Sequence, residues 1–212
     1  MPTFLEIQNR FLALVDEAAI DSTHKSHINY SIKDILNEYP FSWDLASSDL
    51  TLATGSADLP STYNPKWRIY DARIVVSSTG DDYIFQEIDV KDRDEYSATE
   101  YVYWITWDAT SEVHVFNTPT QTGTVVIKYY ILPVDLSADG DVCIVPDAEA
   151  VAMLAGSKWF LGEDQDGQLV SMYEGQAKQR IKAMYTQDMN FGPVQSESSK
   201  IANEESLTTK GI

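Results

Sequence analysis

The chain has 212 residues, 43% of them hydrophobic and 11% aromatic, and 15 basic against 33 acidic side chains give it a formal net charge of −18. This composition indicates one or two folded domains and excludes a disordered polyelectrolyte. The acidity excludes gripping a phosphate backbone through the general surface, because such affinity rests on Lys and Arg displacing counterions.

No run approaches the roughly 18 apolar residues of a membrane span, and none is expected. The opening Met1-Pro2-Thr3-Phe4-Leu5-Glu6 lacks the basic region and apolar run of a secretory signal. Cys143 is the single cysteine, which excludes an internal disulfide and a cysteine-based zinc cluster and fits folding in a reducing cytoplasm. The charge has two uses open to it. It keeps the protein soluble before assembly, or it faces DNA without gripping it.

In chain order, Phe4, Ile7, Phe11, Leu14, Val15 and Ala18 fall at helical spacing and predict a first helix. Asp21, Ser22 and Thr23 interrupt the pattern and offer caps for a second. Ile28, Ile32, Ile35, Leu36 and Tyr39 form its apolar face, and Pro40 stops it, since the residue before a proline is pushed out of helical geometry. Residues 45–145 change texture to short runs rich in Val, Ile, Thr, Tyr and Trp, predicting strands at 67–76, 83–90, 101–107, 112–117 and 124–132. The run from Val125 to Ile131 is apolar at nearly every position and predicts a strand buried on both sides. Pro146-Asp147 then starts a helix with Val151, Leu154, Ala155 and Trp159 on one face, and Gly162 stands where it would end. A last helix from about Asp166 carries Leu169, Tyr173, Ala177, Ile181 and Met184. Residues 194–212 hold only isolated Ile201 and Leu207 among polar residues and read as an extended or disordered tail.

The expected fold is therefore α+β. A four-helix bundle comes from the two ends of the chain (1–46 and 146–191), with an inserted antiparallel β-sandwich or barrel (47–145) and an extended C-terminal tail (192–212). An isolated helical hairpin has little core, so packing the first pair on the second is the economical solution.

Reactive motifs are missing. The chain contains neither G-x-x-x-x-G-K-[ST], nor G-x-G-x-x-G, nor G-x-S-x-G. His24 and His27 lie three apart, but no third ligand is convincing. Asp135-Leu136-Ser137-Ala138-Asp139-Gly140-Asp141 imitates the start of a calcium loop, yet the twelfth position is Pro146 instead of the bidentate Glu, and a polar linker is the preferred reading. Acidic pairs such as Asp81-Asp82 or Asp92, Asp94 and Glu95 are expected by chance in a chain this acidic. In 101–107, alternation puts Tyr101, Tyr103, Ile105 and Trp107 on one face, which serves either a core or sugar stacking; the core reading is preferred. No catalytic residue, cofactor or metal site is expected.

Several passages carry a resemblance. The helix Ile28-Asn29-Tyr30-Ser31-Ile32-Lys33-Asp34-Ile35-Leu36 leads through Pro40-Phe41 to Trp43, and Leu59-Pro60 precedes the first long strand. The hydrophobic strand ending in Leu132-Pro133 is followed by Asp135-Leu136, Asp139-Gly140-Asp141 and Ile144-Val145-Pro146. Downstream come Leu154-Ala155-Gly156-Ser157-Lys158-Trp159 and Tyr173-Glu174-Gly175-Gln176-Ala177-Lys178-Gln179. In this order the chain resembles the head–tail adaptor, or head-completion, proteins of tailed bacteriophages. The resemblance implies a non-enzymatic virion protein of the neck, made in the host cytoplasm. It would form a twelve-membered ring with itself, bound to the portal above and to a neck or tail protein below. DNA would pass through the lumen without specific binding, and no membrane is involved. It also implies that the tail docks on the portal or a neighbour through Phe191, Ile201 and Leu207. Residues 40–145 depart from the pattern in their acidity, with 17 acidic and 6 basic side chains, which argues against DNA gripping there. The alternative is a β-sandwich binding module for carbohydrate or receptor in a phage tail or baseplate.

Overall fold

In the computed structural model, α1 (Phe4–Val15) begins at a reciprocal cap. The Thr3 hydroxyl accepts the Glu6 N–H at 3.3 Å and the Glu6 carboxylate accepts the Thr3 N–H at 2.7 Å. The structure describes residues 1–50, 56–57, 59–76, 82–97, 100–107, 112–117, 123–164 and 166–191. The helix stops at Asp16, whose backbone is left-handed (φ 56°). That is earlier than the Ala18 of the apolar pattern. α2 (Ser22–Glu38) starts with the same device, Asp21 Oδ1 accepting the His24 N–H at 2.8 Å and His24 Nδ1 accepting the Asp21 N–H at 3.1 Å. It ends at Tyr39, extended ahead of Pro40 as expected.

Two C-terminal helices, α3 (Ala148–Trp159) and α4 (Gly167–Phe191), complete the helical part. One cluster of buried residues draws on all four: Phe4 and Phe11, Ile28 and Ile35, Val151 and Ala155, and Ala177 and Ile181. The centre is α3. It packs against α1, α2 and α4, whereas α1 and α2 touch each other only slightly. Val151, Leu154 and Ala155 of the expected face are buried, and Ala148, Ala150, Ala152, Gly156 and Ser157 are buried too, small side chains that let three helices approach. Gly162 does not end that helix. The chain runs on through a π-helical turn, Phe160–Asp164, which brings Phe160 flat against Tyr173 of α4 at 5.7 Å.

Between the helix pairs lie two four-stranded sheets. The first has the order β1-β8-β3-β4, with β1 (Leu45–Leu50), β3 (Asp71–Val76), β4 (Asp82–Ile84) and β8 (Gly123–Tyr130), all antiparallel. The second has the order β2-β7-β6-β5, with β2 (Ser56–Ala57), β5 (Gln86–Glu87), β6 (Val102–Trp107) and β7 (Glu112–Asn117). It corrects the all-antiparallel expectation, since β5 pairs with β6 in parallel. The chain changes sheets at Phe85, between β4 and β5, and Phe85 meets Phe116 of β7 edge-on at 5.2 Å. A second core gathers Ile74, Phe85, Tyr103, Phe116, Val125 and Ile127.

Other strand expectations shift. The 67–76 run pairs only from Asp71, and 83–90 breaks into β4, β5 and a 3-10 turn at Val90–Glu95. β8 is not buried on both faces: Val125, Ile127 and Tyr129 are buried while Lys128 between them is exposed, because β8 has strands on both edges but only one face on the core.

The helical and β parts are joined by backbone groups. The Asp44 carbonyl accepts the Ile131 N–H at 3.1 Å. Carbonyls at the C-terminal end of α2, left without helical partners, accept from the loop after β2: Leu36 from Trp67 Nε1 at 3.2 Å and Asn37 from Lys66 Nζ. The linker after β8 closes α1 in the same way. Phe4 and Leu5 N–H donate to the Asp141 and Asp139 carbonyls at 2.7 and 3.1 Å, and Asn29 of α2 exchanges two hydrogen bonds with Leu136.

Candidate functional site

Side chains singled out for chemistry are occupied structurally. His24 is buried, its Nδ1 taken by the Asp21 N–H, with its ring 5.3 Å from that of Phe11. Among the described residues no group of three or more His, Cys, Asp or Glu is arranged to hold a metal ion. In the calcium-like loop, Asp141 Oδ2 accepts the N–H groups of Ser137 and Ala138 at 2.7 and 2.8 Å. Asp135 pairs with Lys33 at 2.7 Å, and Asp139 accepts from Gln8 at 3.3 Å. These carboxylates shape the linker that holds α1. Asp82 pairs with Arg73 at 3.1 Å, and Asp81 lies outside the described residues. Tyr103 turns into the β core, stacked on Phe116 at 5.3 Å with its hydroxyl donating to Glu87 at 2.9 Å. Burial first, then the Glu87 charge, push its phenol pKa up. Tyr101 packs against the same core, so two of the four residues on the face that would stack sugars serve packing; the Trp107 side chain lies outside the described residues.

Two features face outward. A cleft of about 570 Å³ opens between α1, the start of α3 and α4. It is crossed by Arg10–Glu149 at 2.7 Å and Arg180–Asp147 at 2.9 Å. Asp147 also caps α3, accepting the Glu149 and Ala150 N–H groups at 3.0 and 3.1 Å.

The second feature lies at the junction of the two parts. Tyr39 stacks on Tyr185 of α4 at 4.4 Å, Phe41 stacks on Trp43 at 4.3 Å, and Asp188 hydrogen-bonds Ser42. Beside this knot, Leu132 (44% exposed), Val134 (70%) and Val142 (60%) form the rim of a cavity of about 130 Å³. Its lining includes Ile32, Leu36, Asp44 and Cys143. Asp44 is 2% exposed and its Oδ1 has no hydrogen-bond partner among the described residues; burial raises its pKa to about 7. Burial also raises the Cys143 thiol to about 11, which leaves it inert. Sequence reasoning missed Asp44, because one acid among 33 carries no mark of burial.

The sequence-predicted docking residues are not brought together. Phe191 is the last residue of α4, with its side chain outside the described residues, and Ile201 and Leu207 lie outside them altogether.

The described body is mixed α+β, four helices on one core and two sheets on another. The family model described as SU10 adaptor protein matches residues 2–197, and the chain belongs to this family of phage head–tail adaptors. No curated protein matches the chain. None of the described helices is long and apolar enough to cross a membrane.

Proposed function

We propose that the chain is a virion structural subunit of the phage neck that forms a ring with identical copies beneath the portal and continues the DNA channel toward the tail. The observation that carries this reading is the adaptor-family match over nearly the whole chain. In this reading the four helices (1–46 and 146–191) act as one bundle packing side by side around the ring, and the β insertion (47–145) is a sandwich projecting from it. The acidity of residues 40–145, with 17 acidic and 6 basic side chains, suits a surface that DNA slides past. The segment 192–212 reaches the portal or a neighbouring copy, with Phe191, Ile201 and Leu207 as apolar anchors, and ordering it on binding offsets part of the gain. Shape and self-association do the work, with no chemical step.

The test mixes purified protein with its portal and images the complex. Full-length protein forms a ring on the portal. A chain lacking 194–212 keeps its helical signal and thermal melt, both cores being built from earlier residues, but does not attach. Normal attachment of the truncated chain removes the docking role, and absence of any ring with intact protein removes the adaptor geometry.

A further inference from the structure

Helix α4 has two unlike faces. One lines the cleft of about 570 Å³ with Arg180 and Met184, opposite Glu6 and Arg10 of α1 and Asp147 and Glu149 at the start of α3. The other is centred on Lys182, about 160° around the helix from Arg180. Gly175, Lys178, Thr186 and Met189 lie one or two turns from Lys182 on that second face, and all are exposed.

The two faces are complementary in charge. The cleft gathers three carboxylates against two guanidiniums. Glu149 spends Oε2 on Arg10 and Glu6 spends Oε2 on the Thr3 N–H, while Oε1 of each has no partner among the described residues. The Glu149 side chain is only 25% exposed, so a cation reaching it there is screened less than on open surface. Lys182 is the converse: among the described residues its side chain makes no ion pair or hydrogen bond. Lys178 beside it is already neutralised by Glu174 at 2.6 Å. Lys128, the other described base without such a bond, stands on β8 in register with Asp71 of β3.

A side chain on one face of a helix cannot enter a cleft on the opposite face of that helix, so Lys182 reaches such a cleft only in another copy. The cleft has room for a ridge of side chains, and Gly175 and Thr186 let the helix carrying that ridge come close. A ridge and a groove on opposite sides of one molecule give a head-to-tail contact that repeats in one direction, as a closed ring needs.

We propose that the Lys182 face of α4 lies in the α1–α3–α4 cleft of the next copy, with the Lys182 ammonium meeting the free carboxylate oxygens of Glu149 and Glu6. This rests on the self-associating reading above and names the two surfaces it uses.

The test mixes two full-length chains, both carrying Cys143→Ala, one with Lys182→Cys and the other with Glu149→Cys. They are oxidised with copper-phenanthroline, concentrated alone and again with the portal. The 182–149 disulfide between chains forms at least tenfold faster than 182–182, 149–149 or a control pair of Lys128→Cys with Glu149→Cys. One chain carrying both cysteines gives a ladder that runs past the dimer. In chains without added cysteines, Lys182→Glu or Glu149→Lys lowers assembly at least tenfold, and mixing the two restores it, since every contact then again joins opposite charges. Where a reversal fails to fold, the disulfide rates decide. Dominant 182–182 crosslinks, a ladder that stops at the dimer, or reversals that mixing leaves unrescued overturn the proposal. Rings on the portal without the 182–149 disulfide overturn this contact and leave the adaptor reading standing. The disulfide without rings supports the contact and removes the adaptor geometry.

Discussion

The carboxylate of Asp188 in α4 accepts hydrogen bonds from both the backbone N–H of Ser42, at 2.7 Å, and the Ser42 hydroxyl, across 146 residues of sequence. Ser42 stands between the last helix of the N-terminal pair and the first strand, so this contact ties the end of α4 to the point where the chain enters the β part. The stacking of Tyr39 on Tyr185 reinforces it.

Asp188→Ala removes a charged acceptor from two donors in a partly buried place, and a loss of about 2 kcal/mol is expected. Urea denaturation measures it, and hydrogen exchange in 185–191 speeds up in the variant while exchange in α3 does not. Ser42→Ala keeps the backbone bond and loses about 1 kcal/mol or less. An unchanged midpoint in Asp188→Ala means that the contact contributes nothing in solution.

Asp147 holds two helices at once, capping α3 and pairing with Arg180 of α4 through two nitrogens at 2.9 and 3.2 Å. Asp147→Ala is expected to cost about 2 kcal/mol, mostly from the cap. Asp147→Asn keeps a capping oxygen and loses only a half-exposed ion pair, for about 0.5 kcal/mol. Thermal melts of the two variants side by side separate these contributions, and equal losses would show that the ion pair dominates.

Phe116 is 1% exposed and meets both Phe85 and Tyr103 in the β core. Phe116→Ala leaves a cavity there and is expected to cost about 3–5 kcal/mol. Because the helical core contains no residue of that cluster, near-ultraviolet aromatic signals are lost at lower denaturant than the far-ultraviolet helical signal. Coincident transitions would instead show that the two cores unfold as one unit.

Helices were legible because their apolar residues repeat at helical spacing and Asp21, Asp147 and Asp166 stand at three of their starts. The π-helical turn was not, since Gly162 imitates a stop and only the packing of Phe160 on Tyr173 reveals continuation. β1 was missed because Leu-Ala-Ser-Ser-Asp-Leu has no β-branched residue; its pairing with β8 stabilises it, against local preference. β2 was hidden because a two-residue strand leaves no periodicity. The polar linker was read correctly as a linker, but not as the clamp that takes the first N–H groups of α1. Asp44 was invisible for a different reason: burial of a single acid is a property of the junction between two parts, and no local pattern encodes it.

Asp44 makes stability depend on pH in a direction opposite to that of most carboxylates. Burial raises its folded pKa from 3.8 to about 7, so between these values the folded state holds a proton that the unfolded state has released. The contribution is fully present below about pH 4 and is lost as pH rises through about 7. A rise of that size sets a ceiling of about 4 kcal/mol on the effect. The groups gathered around the neighbouring Tyr130 are Tyr70, Tyr185, Asp188 and Asp44 itself, and none supplies a positive charge. Unfolding free energy is therefore expected to fall by about 2–4 kcal/mol between pH 5 and pH 8. Asp44→Asn flattens that slope, leaving stability nearly unchanged at pH 5 and raising it at pH 8. Urea titrations at five pH values distinguish the cases. A slope that Asp44→Asn leaves untouched excludes Asp44 as its source.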